Sequence, residues 1–143
     1  NNKYVKDNVK MPLAHGERVF GRWEYIRYFM DNSIQVIQPD IGNAGGITET
    51  KRICDMAYTF DVGVQIHTCA SHLLTPPSVQ LEACIPNFVI HEQHMRSMNP
   101  SNQELTAKVV MPKNGYLDVT DDIGIGNEWS DKALASEDQI TLN

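Results

Sequence analysis

Hydrophobic residues concentrate in four short stretches of the chain, each bounded by residues typical of turns. These stretches, which are predicted to be β-strands, cover residues 9–16, 34–39, 62–68 and 87–92. Helices are predicted between these strands, over residues 23–30, 48–60 and 73–84. Strands and helices that alternate in this way favour consecutive βα units with right-handed crossovers. The pattern therefore predicts a parallel sheet with helices on one side.

The third predicted strand shows the clearest alternation of apolar and polar positions. One face would carry Val62, Val64 and Ile66, and the other Gly63, Gln65 and His67. Apolar residues toward outer helices and polar residues toward the inside are typical of the mouth of a βα barrel. An open doubly wound sheet, the alternative, more often has strands that are apolar on both faces. The alternation therefore favours a barrel.

The chain changes character after the fourth predicted strand. Residues 98–122 are loop-like, with turn signals at Asn99-Pro100 and Asn114-Gly115. A short strand is predicted after the second of these turns, over residues 116–119. The polar tail, residues 127–143, is predicted to fray.

Composition and charge exclude several kinds of partner. The chain has 143 residues, of which 41% are hydrophobic and 21% charged, as expected of one globular domain. No apolar run approaches the roughly 18–20 residues of a membrane span, and the start lacks an apolar signal-peptide region. The formal net charge is −6. An acidic chain without a basic cluster argues against nucleic acid or a membrane surface as partner.

The number and spacing of the cysteines indicate the cellular compartment of the protein. The three cysteines, Cys54, Cys69 and Cys84, are an odd number and form no CxxC pair. This fits reduced thiols better than a disulfide framework. The sequence therefore predicts a cytoplasmic protein.

Residues capable of chemistry lie at the carboxyl ends of all four predicted strands. In parallel α/β folds this edge of the sheet carries the active site. The successive strand ends contribute Glu17, Asp40, His67 and Glu92. The predicted fold would therefore bring three acids and one imidazole to one rim.

Each of these residues also has a purely structural interpretation. Glu17 can be a solvated loop acid, and Asp40 can cap the turn that follows it. His67 can be a core histidine whose hydrogen bonds are satisfied, and Glu92 can pair with Arg96 four residues later. The residue types alone leave both interpretations open.

Four motifs surround these residues. In chain order they are PLAHGER at 12–18, QPDIGNAGGITE at 38–49, HTC at 67–69 and IPNFVIHE at 85–92. Together these motifs resemble the C-terminal half of an enolase-superfamily enzyme. Within the superfamily the sequence is similar to the mandelate racemase subgroup, close to sugar-acid dehydratases of the galactonate-dehydratase type. The resemblance spans residues 8–126. The Gln38-Pro39-Asp40 motif favours this branch over the mannonate dehydratases.

The resemblance implies a fold and a place within it. The superfamily has a (β/α)7β barrel, a variant of the TIM barrel. The expected fold class is therefore α/β, with residues 1–143 forming the C-terminal half of the barrel, strands five to eight with the helices between them. The N-terminal capping domain and the first barrel strands would be absent. We therefore expect a fragment of a larger enzyme or a truncated gene product.

The resemblance also implies a role for each strand-end residue. Glu17 corresponds to a carboxylate ligand of an essential Mg²⁺, and Asp40 and His67 to a His–Asp dyad that removes a proton. Glu92 corresponds to the acid that contacts the substrate carboxylate or its enolate. The proton for the departing hydroxyl comes either from a histidine of an earlier strand or from His67. His15 shares a strand face with Glu17, so it can either line the pocket or pack beneath it, and packing is the preferred interpretation.

The implied function is Mg²⁺-dependent removal of the proton α to a carboxylate, followed by β-elimination of water from a sugar acid. Such hydro-lyase activity is expected of the full-length protein. The 143-residue chain alone is expected to be inactive, because Glu17 by itself makes a weak Mg²⁺ site. The alternative is a truncated or non-catalytic member with a binding or regulatory role.

The implied half-barrel also predicts a protein partner. Half of a barrel has unpaired strand edges and an apolar inner face, both of which need cover. The expected partner is either a second copy, in a homo-oligomer, or a complementing N-terminal half.

Overall fold

The computed structural model describes residues 2–136, and its strands form a parallel sheet. Three strands, β1 (Ala14–His15), β2 (Val36–Ile37) and β3 (Gly63–Val64), lie side by side in chain order. A parallel bridge between Val64 and Phe88 places a fourth segment beside β3. The predicted α/β class with a parallel sheet is thus observed.

Helices connect the strands and cover one side of the sheet. In chain order they are α1 (Asn2–Asn8), α2 (Gly21–Met30), α3 (Ile41–Ala44), α4 (Gly46–Thr59), α5 (Thr75–Ala83), α6 (Pro100–Gln103) and α7 (Asp131–Ser136). Two 3₁₀ turns cover His72–Leu74 and Met95–Met98. Helix α2 follows β1, α3 and α4 follow β2, and α5 follows β3. Each strand is therefore the start of a βα unit, as the alternation of segments predicts.

The hydrophobic core lies between the sheet and helices α2 and α4. Its fully buried members from the strand segments are Ile34, Ile37, Val64 and Ile66. Helices α2 and α4 contribute Tyr25, Phe29, Ile53, Cys54 and Ala57. Gln65 and His67, which alternate with the buried residues of the third strand segment, remain partly exposed. The alternation predicted for this segment is therefore correct.

The strands are shorter than the hydrophobic pattern predicts. β1 occupies two residues of the predicted segment 9–16, and the predicted strand 87–92 is reduced to the bridge at Phe88. Pro12 interrupts the first segment and Pro86 immediately precedes the other. Proline offers no N–H to a neighbouring strand, so a regular ladder cannot form through it.

Backbone hydrogen bonds nevertheless continue past β2 and β3 toward the rim. The Gln65 N–H donates to the Ile37 carbonyl and the His67 N–H to the Pro39 carbonyl, each at 3.0 Å. Pro39 has no N–H of its own, so the ladder is one-sided there. The register of the two strands is therefore still fixed where the candidate residues begin.

The region after Phe88 forms small local structures. Asn114 and Gly115 have φ of 53° and 83°, and Lys113 and Tyr116 exchange two backbone hydrogen bonds across them. This is the tight hairpin that an Asn-Gly pair favours. The strand predicted over 116–119 is limited to the bridge at Tyr116.

Part of the polar tail is ordered, contrary to prediction. Residues 131–136 form α7, and Ala133 of this helix is buried. Lys132 pairs with Glu104 at 2.5 Å, which ties the helix to the segment after α6. The remainder of the predicted fraying tail, residues 137–143, lies outside the described residues.

Two predictions from composition can be compared with residues 2–136. Within this range no helix has the length and hydropathy of a membrane span. Cys54 is buried, Cys69 partly buried and Cys84 exposed, and all three thiols are free. The prediction of unpaired cysteines therefore agrees with the structure.

His72 joins the segment before α5 to the loop after α6. Its side chain is fully buried, and its Nε2 accepts a 2.7 Å hydrogen bond from the Val110 N–H. The backbone N–H of His72 donates to Asn102 Oδ1 at 2.9 Å. A ring nitrogen can accept only when it carries no proton. Burial lowers the pKa of the imidazole, which also favours the neutral form.

We expect the free energy of unfolding to fall as the pH decreases below about 6.5, because unfolded His72 then takes up a proton that folded His72 resists. His72→Gln should remove this part of the pH dependence. Urea denaturation of both proteins at about pH 7.5 and pH 5.5 measures it. Burial raises the pKa of Glu82, so this carboxyl favours the folded state as the pH falls. The effect is the same in the wild type and in His72→Gln, so it does not alter the comparison. An unchanged pH dependence in the variant would contradict the expectation.

Candidate active site

Asp40 and His67 lie side by side at the carboxyl ends of neighbouring strand segments. A parallel bridge pairs their backbones, and His67 Nδ1 lies 2.8 Å from Asp40 Oδ2. The Asp40 side chain is 3% exposed and that of His67 is 15% exposed. A buried carboxylate at this distance holds the imidazole in one orientation through a charge-assisted hydrogen bond.

The two oxygens of Asp40 have different partners. Oδ1 accepts hydrogen bonds from the N–H groups of Gly42 at 2.7 Å and Asn43 at 3.1 Å, and so caps α3. Oδ2 faces His67. The cap that the sequence offered as an alternative role is therefore present, and it leaves the second oxygen for the imidazole.

Glu17 lies at the opposite nitrogen of the same imidazole. Its Oε2 is 3.1 Å from His67 Nε2, and its Oε1 is 3.5 Å from Arg18 Nε. The Glu17 side chain is 49% exposed. The Asn43 side-chain amide donates to the Glu17 carbonyl at 3.4 Å, which links this loop to α3. Each ring nitrogen of His67 thus faces one carboxylate.

These three residues line one cavity of about 250 Å³. Its other walls are Arg18, Asn43, Cys69, Ala70 and Arg96. A larger groove of about 780 Å³ lies between α4, α5 and the loop at 120–125, but no imidazole lines it. The smaller cavity combines two carboxylates, an imidazole and two guanidinium groups, so we take it as the candidate active site.

Glu92, the fourth predicted residue, does not line this cavity. Its backbone carbonyl accepts a hydrogen bond from the hydroxyl of Thr68, the residue after His67. Within residues 2–136 its carboxylate makes no hydrogen bond or ion pair, and the alternative pair with Arg96 is not formed. The structure therefore brings together three of the four predicted residues.

The fit of a metal ion depends on the oxygen donors at this rim. Glu17 offers a half-exposed carboxylate, which is the hard ligand that Mg²⁺ prefers. Both oxygens of Asp40 are engaged with hydrogen-bond partners. No group of three or more His, Cys, Asp or Glu residues that could hold a metal occurs within the described part of the chain. The chain therefore fits as the donor of one ligand to a shared site.

Helix α2 fixes the turn that leads to Glu17. The ring of His15 packs edge-to-face on Tyr28 with centroids 5.4 Å apart and does not line the cavity. The Tyr25 hydroxyl donates to the Gly16 carbonyl at 2.7 Å. Gly16 has a φ of 143°, and a Cβ there would lie 2.7 Å from the Tyr25 hydroxyl oxygen. Glycine is therefore required at this position.

An acid–imidazole pair that no sequence motif predicted lies outside the candidate site. His91 Nδ1 lies 2.7 Å from Glu82 Oε2, and their side chains are 13% and 5% exposed. Burial raises the pKa of the Glu82 carboxyl, and the hydrogen bond to His91 opposes this effect. The two residues lie on α5 and on the segment after it, at a separation that matches no motif. Only the fold reveals the pair.

Known dehydratases are similar to this chain. D-galactonate dehydratase of Pectobacterium atrosepticum is 36% identical over 85 residues, which are 59% of this chain and 22% of that protein. D-xylonate dehydratase of Haloferax volcanii is 27% identical over 124 residues, which are 87% of this chain and 30% of that protein. The chain thus spans less than a third of the length of these two curated relatives.

A solved structure shows where the chain lies in the fold. A member of the enolase superfamily from Salmonella Typhimurium matches 99% of this chain and 36% of its own length, with 42% identity and a TM-score of 0.95. This match confirms the predicted fold class, the C-terminal half of a TIM-type barrel. The family described as enolase C-terminal domain-like matches residues 2–133. The chain therefore belongs to the enolase C-terminal domain-like family.

Proposed function

We propose that the protein that contains this chain is a Mg²⁺-dependent sugar-acid dehydratase. It removes the proton α to a carboxylate and then eliminates water from the neighbouring carbon. The observation that carries the proposal is the His67 imidazole, held by Asp40 and bordered by Glu17 in one cavity. The galactonate and xylonate dehydratases among the relatives support the reaction and the class of substrate.

In this proposal His67 Nε2 takes the α proton. Asp40 Oδ2 accepts a hydrogen bond from the Nδ1–H, which leaves the lone pair on Nε2, the nitrogen on the side of Glu17. The negative charge of Asp40 offsets the positive charge that the ring gains. The short, buried hydrogen bond therefore fixes both the tautomer and the direction of the base.

Glu17 is the proposed oxygen ligand of Mg²⁺ from this chain. When bound, Mg²⁺ supplies a Lewis acid that stabilises the negative charge developing on the substrate carboxylate. Glu17 Oε2 lies 3.1 Å from His67 Nε2, so the proposed metal ligand and the proposed base are neighbours at the rim. The Glu92 carboxylate makes no hydrogen bond or ion pair within residues 2–136, and we assign it contact with the substrate carboxylate or its enolate.

The departing hydroxyl requires a proton in the second step. His67 carries one after the first step, and it is the one imidazole that lines the cavity among residues 2–136. We therefore assign it the role of general acid as well. A histidine supplied by other parts of the protein is the alternative donor.

We further propose that the working enzyme completes the barrel with the chain that precedes this sequence or with a second copy. β1 is an edge strand of the described sheet. At the other end Phe88, Val89 and Ile90 are 44%, 55% and 59% exposed. An open edge and apolar side chains of this kind require cover.

Three unpaired thiols support a cytoplasmic location.

A non-catalytic member with a binding role is the second candidate function. Such a protein would bind a sugar acid without converting it.

The test is a panel of sugar acids incubated with the full-length protein and Mg²⁺ and assayed for 2-keto-3-deoxy products. We expect turnover that depends on Mg²⁺. Glu17→Gln should weaken Mg²⁺ binding by about 100-fold or more. Loss of a residue that only orients a metal ligand already lowers metal affinity by about 10- to 100-fold, and loss of the ligand itself should cost at least as much. Titration calorimetry measures this without reference to activity.

The matched control is Glu104→Gln, since Glu104 is an exposed acid paired with Lys132 outside the cavity. This variant should bind Mg²⁺ and turn over substrate like the wild type. Binding of sugar acids without any turnover would instead favour the non-catalytic candidate. Equal Mg²⁺ affinity in the Glu17 variant and the wild type would remove Glu17 from the ligand set.

A further inference from the structure

Arg96 lines two neighbouring cavities, one of which is the candidate active site. It lines the 250 Å³ cavity together with His67. It also lines a cavity of about 300 Å³ whose other walls are Ala70, Asn99, Ser101, Asn102 and Leu105. Ala70 and Arg96 belong to both sets of walls. The Arg96 side chain therefore lies within reach of a ligand bound in the candidate active site.

The guanidinium of Arg96 differs from the others in the described part of the chain. Those of the other four arginines have partners: Arg18 with Glu17, Arg22 and Arg52 with Glu49, and Arg27 with Tyr28. That of Arg96 makes no hydrogen bond or ion pair with residues 2–136. A free guanidinium beside a cavity suits a carboxylate, which it can bind through two parallel hydrogen bonds.

The backbone that carries Arg96 is held in place. His94 Nδ1 accepts the Arg96 N–H at 3.1 Å, which caps the 3₁₀ turn Met95–Met98. The Ser97 hydroxyl donates to the His94 carbonyl at 2.6 Å, and Ser97 is 3% exposed. The Gln103 amide donates to the Ser97 carbonyl at 3.2 Å. A side chain on a fixed turn costs less conformational entropy when it binds a ligand.

We propose that Arg96 binds a second carboxylate at the far end of the substrate, so that the enzyme prefers aldarates, which carry a carboxylate at each end, over aldonates. This inference rests on the proposed function and names its substrate class. With the reacting end of the substrate at Glu17 and His67, its other end would face Arg96, which lines the same cavity. Arg96 is exposed, so a terminal hydroxyl would leave its guanidinium to solvent, whereas a terminal carboxylate would pair with it.

The experiment compares an aldonate and an aldarate of the same configuration with the full-length enzyme and Mg²⁺. The wild type should have the higher kcat/KM for the aldarate. Arg96→Gln should lower kcat/KM for the aldarate by about 10- to 100-fold, mainly through KM, and leave the aldonate within about threefold. Arg96→Lys should restore part of the loss, because lysine keeps the charge but not the paired donors.

The control is Arg52→Gln, since Arg52 lies on α4 and pairs with Glu49 away from both cavities. It should behave as the wild type with both substrates. Equal losses on the two substrates in Arg96→Gln would overturn the inference, as would a preference of the wild type for an aldonate or for a sugar acid with a terminal phosphate. In those cases the proposed dehydratase function stands. A wild type that converts no sugar acid overturns both.

Discussion

His67→Asn is expected to abolish proton abstraction, with a loss of about 10²–10⁴-fold, while the fold stays intact. The asparagine amide can still donate to Asp40 Oδ2, so the buried carboxylate keeps a partner. It offers no basic nitrogen to the cavity, so the proposed base is lost. Exchange of the substrate α-proton with solvent deuterium, followed by NMR in the full-length protein with Mg²⁺, measures this step separately from loss of water.

His15→Asn is the control for this experiment. His15 is also a partly buried imidazole near a strand end, but its ring packs on Tyr28 and does not line the cavity. The control variant should exchange the α-proton at nearly the rate of the wild type. Wild-type exchange in His67→Asn would show that another group is the base. Loss of exchange in both variants would point to a general disturbance of the rim.

Asp40→Asn is expected to reduce turnover by about 10²-fold or more while the cap of α3 is kept. The amide oxygen can still accept from the Gly42 and Asn43 N–H groups. The amide nitrogen then faces His67 Nδ1 and donates to it. The ring proton must therefore move to Nε2, which removes the lone pair that the reaction needs.

Asp40→Ala separates the two roles of the carboxylate. This variant loses both the cap and the partner of His67, so it should also lower the free energy of unfolding by about 0.5–2 kcal/mol, the usual contribution of an N-cap. Turnover and urea denaturation of the two variants give the comparison. A fully active Asp40→Asn would reduce Asp40 to a cap. Equal stability of the asparagine and alanine variants would show that Oδ1 contributes little to α3.

The parts of the fold that could be predicted depend on local patterns. The two-residue alternation of Val62, Val64 and Ile66 identified a strand with one buried face, and the structure agrees. Strand length could not be predicted, because a ladder ends where its neighbour lacks an N–H, as Pro39 does. Pairing partners are set by the neighbouring strand, which the hydrophobic pattern of one segment does not contain.

The candidate site also contains residues that the sequence could predict and one that it could not. The strand-end rule and the family motifs pointed to Asp40 and His67, and the parallel register does place them in contact. Arg96 entered the sequence analysis only as a partner for Glu92, since a charge four residues away is the nearest explanation that a linear sequence offers. Its position at the cavity depends on the 3₁₀ turn and on contacts with distant residues. Such contacts leave no periodic signal in the sequence.

The hydrogen bond from the His67 N–H to the Pro39 carbonyl limits where the chain can change in length. One inserted residue between positions 62 and 67 would turn the imidazole toward the helices, because adjacent strand residues point to opposite faces. Asp61, an exposed residue with a φ of 55°, lies just before this segment in a turn. An insertion there can bulge into solvent without moving the register. Length variation in this part of the barrel is therefore tolerated at the turn, whereas the six residues that follow keep their number.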